Sequence, residues 1–445
     1  MDAKNVSVIG LGKLGSPMAA CFASKGHTVI GVDVLPEYVS RIDQGMAPVS
    51  EPGLEALLQK GRKRISATRD FETAVAGTEM TFLVVPTPGE PHGGFSARYV
   101  LEAAGKIGKA LRRKSGFHLV VLTSTVLPGA TEGELRPALE AHSGKRCGVD
   151  FGLCYSPEFI ALGSVIRDML NPDFYLIGES DARSGEMLAS FYRTVCDNKA
   201  PVTRMNIVNA ELTKIAINTY ITMKISYANN LAEICERIPG ASVDVVTSAV
   251  GIDTRIGRKY LKGALGYGGP CFPRDNAAFA FLARRLGAEP TLAEATDEVN
   301  TRQVGRLVDF VTARLSRGDR VAILGLSYKP DTGVVEESQA VMLARALAER
   351  KVPTVVYDPE AMENARRELG DAVAYASSME QCVRQAAVIV LATPWEEFQW
   401  IEPSHLMRGG KRPPVLLDCW NLLDGRKFEG AAEYVRLGAG PRLDE

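Results

Sequence analysis

One cysteine of the chain lies in a setting that suggests chemistry rather than packing. The stretch "LGYGGPCFPRDNAAF", residues 265–279, places Cys271 after three closely spaced glycines, which let a ligand approach the main chain. The apolar spacing that follows predicts a helix with Asp275 near its start. A helix N-terminus favours the anionic, nucleophilic form of a thiol. We therefore predict a nucleophilic Cys271, with a packed core thiol as the alternative.

Two polar residues share one face of a long predicted helix. From Ile207 to Ile238 the sequence has 32 residues without glycine or proline, and such a helix would span roughly 48 Å, enough to connect two domains. Lys214 and Asn218 are four residues apart, so both could contact one ligand. The alternative for Lys214 is a surface ion pair with Glu211.

A glycine-rich turn lies between the first predicted strand and helix. Gly10, Gly12 and Gly15 form a GxGxxG motif. The first glycine permits the bend, the second lets a pyrophosphate reach the backbone, and the third lets the helix pack closely on the strand. Asp33 follows the second predicted strand, where a carboxylate binds the adenosine ribose and repels a 2'-phosphate. The sequence therefore predicts an NAD site rather than an NADP site.

Two nearly continuous apolar runs, residues 80–88 and 118–126, predict strands that are covered on both faces. Ligands of such sheets bind at the carboxyl ends of the strands. The candidate ligand contacts at these ends are Pro86, Thr87, Pro88, Ser124 and Thr125. Capping of a helix is the alternative role for the serine and threonine of the second run.

A second α/β pattern begins at residue 320. Its strand-like segments are "RVAILGLSYKPDT", "VPTVVYDPEA", "AAVIVLATPW" and "PPVLLDCWN", and its first turn lacks a complete GxGxxG motif. We therefore predict an α/β fold with two Rossmann-like domains joined by a long central helix.

The composition is that of an ordinary globular protein of two or three domains. The chain has 445 residues, 46% hydrophobic and 24% charged, with a formal net charge of -1. This charge gives no support to nucleic-acid or membrane binding through a basic face. We found neither a signal-peptide pattern nor an apolar run of membrane-spanning length, and expect a cytoplasmic protein. Eight cysteines without a CxxC pair and five scattered histidines predict no metal site.

Together these segments resemble the UDP-glucose/GDP-mannose dehydrogenase family of nucleotide-sugar 6-dehydrogenases, from about residue 5 to about residue 425. The most specific element is "GYGGPCFPRD", which is similar to the family's G-x-G-G-S-C-F-P-K-D around its catalytic cysteine. Supporting elements, in the family's order, are "VPTP", "STVLPG", "SPEFIALG", "ELTKIAINTY", "RIGRKYLKG" and "GLSYKPDT".

The resemblance implies three domains and a homodimer or higher homo-oligomer. Residues 1–205 would form the NAD-binding Rossmann domain. Residues 206–300 would contain the long helix, the dimerisation surface and the catalytic cysteine. Residues 301–445 would form a Rossmann-like domain that binds the nucleotide sugar.

The resemblance also implies oxidation of a sugar C6 alcohol to a carboxylate in two NAD-dependent steps. Cys271 would hold the sugar first as a thiohemiacetal and then as a thioester. UDP-glucose is the expected substrate, and UDP-N-acetylhexosamines and GDP-mannose are the alternatives. The implied catalytic residues are Cys271, Lys214, Asn218, Asp275, Glu158 and Thr125.

Two further sets of residues follow from the resemblance. The implied cofactor contacts are Gly10, Gly12, Leu14, Gly15, Asp33, Pro86, Thr87, Ser124 and Thr125. The implied substrate contacts are Glu158, Phe159, Lys214, Asn218, Arg255, Tyr260, Gly268 and Lys329, the arginine reaching a neighbouring subunit's site.

The chain departs from the family pattern at several positions. Pro270 and Arg274 replace the usual serine and lysine beside the cysteine, and an arginine keeps the charge but changes the donor geometry. Leu162 and Glu336 replace a glutamate and an arginine on the cofactor side, and Trp420 replaces an arginine near the C-terminus. These changes leave the cofactor contacts and the nucleotide selectivity open.

Two other functions fit part of the pattern. The segment "GLGKLGSPMA" also resembles the β-hydroxyacid dehydrogenases, which transfer one hydride and need no thiol. A protein that binds nucleotide sugars without turnover would keep the fold and lose the chemistry. The yield of NADH per sugar consumed separates the three functions: two, one and none.

Overall fold

The computed structural model describes residues 3–408 and 412–441. The chain divides into two compact units, Met1–Ala216 and Ile217–Glu445. Each unit contains one mostly parallel sheet with helices on both faces, which confirms the predicted α/β class and its two Rossmann-like domains. No helix in the described part of the chain is long and apolar enough to cross a membrane.

The first unit is built on an eight-stranded sheet with the order β3-β2-β1-β4-β5-β6-β7-β8. All neighbouring strands are parallel except β6 and β7. The first six strands therefore have the order of a dinucleotide-binding sheet. The strands are β1 (Asn5–Ile9), β2 (Thr28–Val32), β3 (Ile65–Thr68), β4 (Met80–Leu83), β5 (His118–Leu122), β6 (Phe151–Tyr155), β7 (Tyr175–Glu179) and β8 (Val202–Asn206).

Helices cover both faces of this sheet, so successive strand residues enter different cores. Val8 packs in the cluster that includes Phe22 and Leu58, whereas Ile9 packs in the cluster that includes Ile107 and Leu139. This two-sided burial explains the continuous apolar runs. The helices are α1 (Gly15–Ser24), α2 (Pro36–Asp43), α3 (Leu54–Gly61), α4 (Phe71–Ala76), α5 (Arg98–Arg113), α6 (Arg136–Ser143), α7 (Val165–Leu170) and α8 (Ala182–Val195), with a π-helical turn Thr131–Leu135 before α6.

A buried polar network lies under the amino-terminal end of β5. His118 Nε2 is 2.8 Å from Thr81 Oγ1, and His118 Nδ1 is 3.1 Å from the carbonyl oxygen of Thr78. Ser7 Oγ forms a hydrogen bond of 2.7 Å with the Thr81 hydroxyl. Burial of the ring and the neighbouring positive charge of Lys114 lower the pKa of His118 to about 3. His118 is therefore a neutral structural residue at physiological pH.

We expect the free energy of unfolding to fall as the pH falls from about 6.5 toward 3. The pKa of His118 is lowered in the folded protein, so in this window the unfolded chain binds a proton that the folded chain does not. The contribution is at most about 1.4 kcal/mol per pH unit. Urea unfolding at pH 7 and pH 5 measures it. The His118→Gln variant should lose this part of the pH dependence, and the exposed His142→Gln variant should keep it; equal pH dependence in both would contradict the expectation.

The long helix α9 spans Ile207–Cys235, 29 residues, and crosses the boundary between the two units. It ends three residues before the predicted end at Ile238. The amides of Arg237 and Ile238 donate to carbonyls only three residues back, so the chain tightens after Cys235 before Pro239 ends it.

The second unit contains a six-stranded parallel sheet with the order β11-β10-β9-β12-β13-β14, which is again the dinucleotide-binding order. Each of the four strand-like segments predicted in this region contains a strand, and the sheet has two further strands, β11 and β14. The strands are β9 (Val321–Leu324), β10 (Thr354–Tyr357), β11 (Ala374–Tyr375), β12 (Val388–Leu391), β13 (Val415–Asp418) and β14 (Glu433–Arg436). The helices are α10 (Val243–Val250), α11 (Phe272–Arg285), α12 (Thr291–Thr312), α13 (Gln339–Glu349), α14 (Met362–Leu369) and α15 (Met379–Val383).

Candidate active site

The glycine turn of the first unit has the geometry of a pyrophosphate cradle. Gly10 has φ +96°, and a Cβ there would lie 2.3 Å from the carbonyl oxygen of Val84. A Cβ on Gly15 would lie 1.7 Å from the carbonyl oxygen of Gly10, whereas a Cβ on Gly12 would have no neighbour within 4 Å. The first and third glycines are thus required by packing, and the second faces open space at the start of α1. Leu14 occupies the N-cap position of α1. These residues fit a bound dinucleotide.

Asp33 directly follows β2 and binds the same turn. Its Oδ2 accepts a hydrogen bond from the Leu11 amide at 2.7 Å, and its Oδ1 accepts one from the Leu35 amide at 2.9 Å. A carboxylate has about four acceptor positions, so these two bonds are compatible with a ribose hydroxyl as a further donor. Asp33 therefore holds the glycine turn in addition to its predicted cofactor contact.

The loops after β4 and β5 are joined to each other. Ser124 Oγ donates to the carbonyl oxygen of Val85 at 2.6 Å, and Thr87 is buried while Pro86 is exposed. The next helical turn begins at Thr131, so neither Ser124 nor Thr125 caps a helix and that alternative is wrong.

The residue before Ser124 was not predicted as a site residue. Thr123 is buried, and its hydroxyl oxygen has no hydrogen-bond partner in the described part of the chain. No local sequence signal marks it, because a threonine at the end of a buried run is common.

Lys214 is held inside the first unit rather than on its surface. Its side chain is only 8% exposed, and its Nζ donates to the carbonyl oxygen of Glu158 at 2.8 Å and lies 4.8 Å from the ring centre of Phe159. Glu211 is also buried, and its carboxylate accepts from the amides of Gly129 and Thr131. The predicted alternative, a surface pair between Lys214 and Glu211, is wrong.

Glu158 lies in the loop after β6, next to Phe159. Desolvation raises the pKa of its carboxyl to about 7, and the positive charge of Lys214 opposes this rise in part. A carboxyl group with this pKa can both accept and donate a proton near neutral pH. Helix α7 begins at Val165 with Ser164 at its N-cap position, so Glu158 does not cap it.

A second residue that sequence reasoning missed supports the Glu158 loop. The carboxylate of Glu51 accepts hydrogen bonds from the Gly163 and Val165 amides at 2.9 and 2.7 Å. It thereby fixes the end of the loop 156–164. The contacts join residues more than a hundred positions apart, which no local pattern could have shown.

The nucleophile candidate lies in the second unit, at the start of α11. Cys271 occupies the N-cap position, and its carbonyl oxygen accepts from the Asp275 amide at 2.8 Å. All eight cysteines are thiols; Cys271 is exposed, Cys196 is partly buried and the other six are buried. Helix α11 begins at Phe272, and Pro273 lies in its first turn. The core-packing alternative for Cys271 does not fit its exposure.

Asp275, four residues after Cys271, forms a buried pair with Asn218 of α9. Asn218 Nδ2 donates to Asp275 Oδ2 at 2.6 Å, and the Arg274 guanidinium donates to Oδ1 at 3.1 and 2.9 Å. The Asp275 side chain is fully buried. These bonds fix the orientation of the Asn218 amide, which lies four residues after Lys214 in α9, on the same helical face.

The remaining predicted substrate contacts have different surroundings. Arg255 is exposed and pairs with Asp253 at 2.6 Å. Tyr260 has φ +62° and packs edge-on against Phe272 with 6.2 Å between ring centres. Lys329 lies in the loop after β9 and is partly buried. Gly268 lies in a loop that approaches another loop closely: a Cβ on Gly268 would lie 2.2 Å from the carbonyl oxygen of Glu337.

Three of the five residues that depart from the family pattern lie on the cofactor side or near the C-terminus. Leu162 packs against the core of the first unit. Glu336 has an exposed side chain, and its carbonyl oxygen accepts from the Gly269 amide at 3.0 Å. Trp420 Nε1 donates to the carbonyl oxygen of Ala392 at 2.8 Å. Each replacement is thus accommodated locally.

The second unit has an aspartate after β10 at the place that Asp33 takes in the first. Asp358 is buried, and its Oδ2 accepts from the amides of Leu326 and Ser327 at 2.7 and 2.9 Å and from Trp395 Nε1 at 3.1 Å. Its other oxygen accepts from two amides at the start of the next turn. Its acceptor positions are occupied, so Asp358 does not take the ribose-binding role.

The described residues contain no group of three or more His, Cys, Asp or Glu side chains able to hold a metal ion. The acid, base and nucleophile candidates of this chain are the side chains already named: Glu158 and Lys214 in the first unit, and Cys271, Asp275 and Asn218 in the second.

Comparison with known proteins identifies the family. The NAD binding, central and UDP binding domains of the UDP-glucose/GDP-mannose dehydrogenase family match residues 4–196, 208–302 and 322–425. A UDP-glucose 6-dehydrogenase of Haloferax volcanii is 38% identical over 88% of this chain and 92% of its own length. A GDP-mannose 6-dehydrogenase of Pseudomonas aeruginosa is 36% identical over 79% and 80%, respectively.

A solved structure shows the same architecture over nearly the whole chain. It is a UDP-glucose dehydrogenase from the archaeon Pyrobaculum islandicum, 37% identical, with a TM-score of 0.88 over 99% of this chain and 97% of the other. The chain therefore belongs to the UDP-glucose/GDP-mannose dehydrogenase family and is an NAD-dependent oxidoreductase of the nucleotide-sugar 6-dehydrogenase type.

Proposed function

We propose that this enzyme oxidises the C6 hydroxyl of UDP-glucose to the carboxylate in two steps on Cys271. The observation that carries the proposal is the exposed thiol at the N-terminus of α11, followed within one turn by the buried Asp275 that holds Asn218. The UDP-glucose dehydrogenases at 38% and 37% identity support UDP-glucose as the substrate. GDP-mannose is the second candidate, because a GDP-mannose 6-dehydrogenase is 36% identical.

A covalent bond to the thiol explains how the C6 alcohol can be oxidised to a carboxylate without release of the intermediate aldehyde. NAD supplies the acceptor for the hydride that leaves C6 in each oxidation. The Cys271 thiolate would add to the C6 aldehyde, forming a C–S bond and a thiohemiacetal. The second oxidation would leave a thioester on Cys271. Attack by water would then break the C–S bond and return the thiolate and the sugar carboxylate.

The fixed donors and the titratable carboxyl have separate roles in this scheme. Lys214 and Asn218 would stabilise the oxyanion that forms at C6, since preorganised donors are most effective there. Asn218 is oriented by Asp275. Glu158, with its pKa near 7, would take a proton from the hydrolytic water. Thr125 would contribute near the nicotinamide and that water.

Each of the three proposed regions has its own role. Residues 1–205 would bind NAD, residues 206–300 would carry the catalytic cysteine and the dimerisation surface, and residues 301–445 would bind the nucleotide sugar. Arg255, Tyr260, Gly268, Lys329 and Phe159 would contact the substrate, as the family resemblance implies. The cofactor contacts are proposed at the glycine turn, at Asp33 and at the ends of β4 and β5.

An exposed apolar stripe supports a homodimer. Tyr220, Tyr227 and Ile234 lie seven residues apart along α9, and each is 47 to 55% exposed. Val245 and Ile252, at and just after α10, are 70% and 67% exposed. Such patches on a soluble chain mark interaction surfaces. Sedimentation equilibrium of the full chain measures the oligomeric state.

The yield of NADH per sugar consumed tests the reaction, and a panel of nucleotide sugars tests the substrate. We expect two NADH for each UDP-glucose converted to the uronate. A yield of one would favour a single hydride transfer, and no yield with measurable sugar binding would favour a binding protein. Faster reduction of NAD with GDP-mannose or a UDP-N-acetylhexosamine would overturn UDP-glucose as the substrate.

Replacement of Asp33 by serine is expected to weaken NAD binding and to narrow the preference for NAD over NADP. The ribose loses an acceptor and a 2'-phosphate loses a repulsive charge. Calorimetric titration with both cofactors measures this. The Asp33→Asn variant is the control for the turn, because its amide oxygen can still accept one backbone amide. If the ratio of the affinities for NAD and NADP is unchanged in Asp33→Ser, Asp33 does not contact the adenosine ribose of the cofactor.

A further inference from the structure

The segment that leads to Cys271 is bound by buried side-chain amides. We call residues 264–271 the thiol loop. Asn229, on α9, is fully buried; its Oδ1 accepts from the Ala264 amide at 2.9 Å and its Nδ2 donates to the carbonyl oxygen of Leu265 at 3.1 Å. The Asn229 side chain thus hydrogen-bonds one backbone amide and one backbone carbonyl of the thiol loop, as a neighbouring β-strand would.

A second asparagine repeats this arrangement two residues further along. Asn300, on α12, is 8% exposed; its Oδ1 accepts from the Tyr267 amide at 2.7 Å and its Nδ2 donates to the Tyr267 carbonyl oxygen at 3.0 Å. The fit is close, because a Cβ on Gly266 would lie 2.4 Å from Asn300 Oδ1. Only glycine allows the loop to approach this amide.

These bonds decide the path of a segment that has little intrinsic order. Glycines lose more conformational freedom on folding than other residues, and the thiol loop contains three of them besides Pro270. Its buried amide and carbonyl groups need partners, and no strand of the second unit supplies them within the described residues. Asn229 and Asn300 supply four of these bonds, and the Glu336 carbonyl supplies one more to Gly269.

We propose that Asn229 and Asn300 are positioning residues for the thiol, which hold residues 264–267 so that Cys271 stays at the N-terminus of α11. This inference rests on the proposed nucleophilic role of Cys271. A displacement of about 1 Å at a reacting group can cost about 10²-fold in rate. Neither asparagine contacts the reacting atoms in this proposal; both act through the loop backbone.

The test compares Asn300→Leu and Asn229→Leu with a matched control on α12. Gln303 is also buried, and its Nε2 donates to the Val299 carbonyl of its own helix at 3.1 Å, away from the thiol loop. Gln303→Leu therefore removes a buried amide without touching the loop. The measurements are kcat, the KM for NAD, and the pH profile of alkylation of Cys271 by iodoacetamide, followed by peptide mass spectrometry.

We expect the asparagine variants to lose 10-fold or more in kcat, with the KM for NAD unchanged and the alkylation profile moved to higher pH. Gln303→Leu should keep kcat within about twofold. Equal kcat in all three variants, or an unchanged alkylation profile, would overturn the inference. If Asn300→Leu does not fold, Asn300→Asp, which keeps the acceptor for the Tyr267 amide, decides it by the same measurements. A wild-type enzyme that makes no uronate would instead count against the proposed function.

Discussion

Cys271→Ser is expected to stop uronate formation while the fold and NAD binding persist. A serine hydroxyl in this position lacks the nucleophilicity of a thiolate, so neither the thiohemiacetal nor the thioester forms. The rate of complete oxidation should fall on the order of 10³-fold or more. The NADH yield per sugar should fall from two to at most one, because only the first oxidation can proceed without the thiol. Product analysis by mass spectrometry and the NADH yield measure this.

The matched control is Cys196→Ser. Cys196 is a partly buried thiol at the end of α8 in the first unit and belongs to no predicted site. Its replacement should leave the yield at two. Undiminished uronate production by Cys271→Ser would remove the covalent mechanism, and equal losses in both variants would point to a general effect on folding.

Glu158→Gln should convert steady turnover into a burst of NADH followed by slow release. If the carboxylate is the base for thioester hydrolysis, its loss leaves the oxidation steps intact and traps the sugar on Cys271. The amide has a similar shape and no basicity, and the Lys214 bond is to the main-chain carbonyl of Glu158. Intact-protein mass spectrometry after mixing with NAD and UDP-glucose should detect the adduct.

The pH dependence provides a second measure of the same role. The pKa of Glu158 is raised to about 7 by burial, so the fraction that can act as a base rises with pH. The wild-type hydrolysis rate should increase about tenfold from pH 6 to pH 8 and then level off. The slow rate of Glu158→Gln should lack this step.

Glu140→Gln is the control for this experiment. Glu140 is a partly buried carboxylate on α6 that accepts from the Cys147 amide at 3.0 Å, outside the proposed site. Its variant should show no burst and no adduct. Wild-type steady-state rates without an adduct in Glu158→Gln would exclude the hydrolytic role.

Much of the fold could be predicted because its signals are local. The GxGxxG turn, the alternation of apolar runs with helical spacing, and the long stretch without glycine or proline each depend on neighbouring residues. The predicted lengths of the strands were less accurate. The apolar run 118–126 contains a strand that ends at Leu122, since Ser124 turns to bond the loop after β4. The end of β5 therefore depends on a hydrogen bond to another segment of the same chain, and the apolar run 118–126 does not contain that segment.

The sequence by itself determined that this chain has two dinucleotide-type folds, that the first can bind NAD, and that Cys271 is followed by a helix. These properties follow from residue types at short spacings. The tertiary structure alone decided which polar residues are buried and what they bind. It places Lys214 against the Glu158 loop, raises the pKa of Glu158, and fills the acceptors of Asp358 but not those of Asp33. The physical reason is that desolvation and hydrogen bonding act between segments distant in sequence.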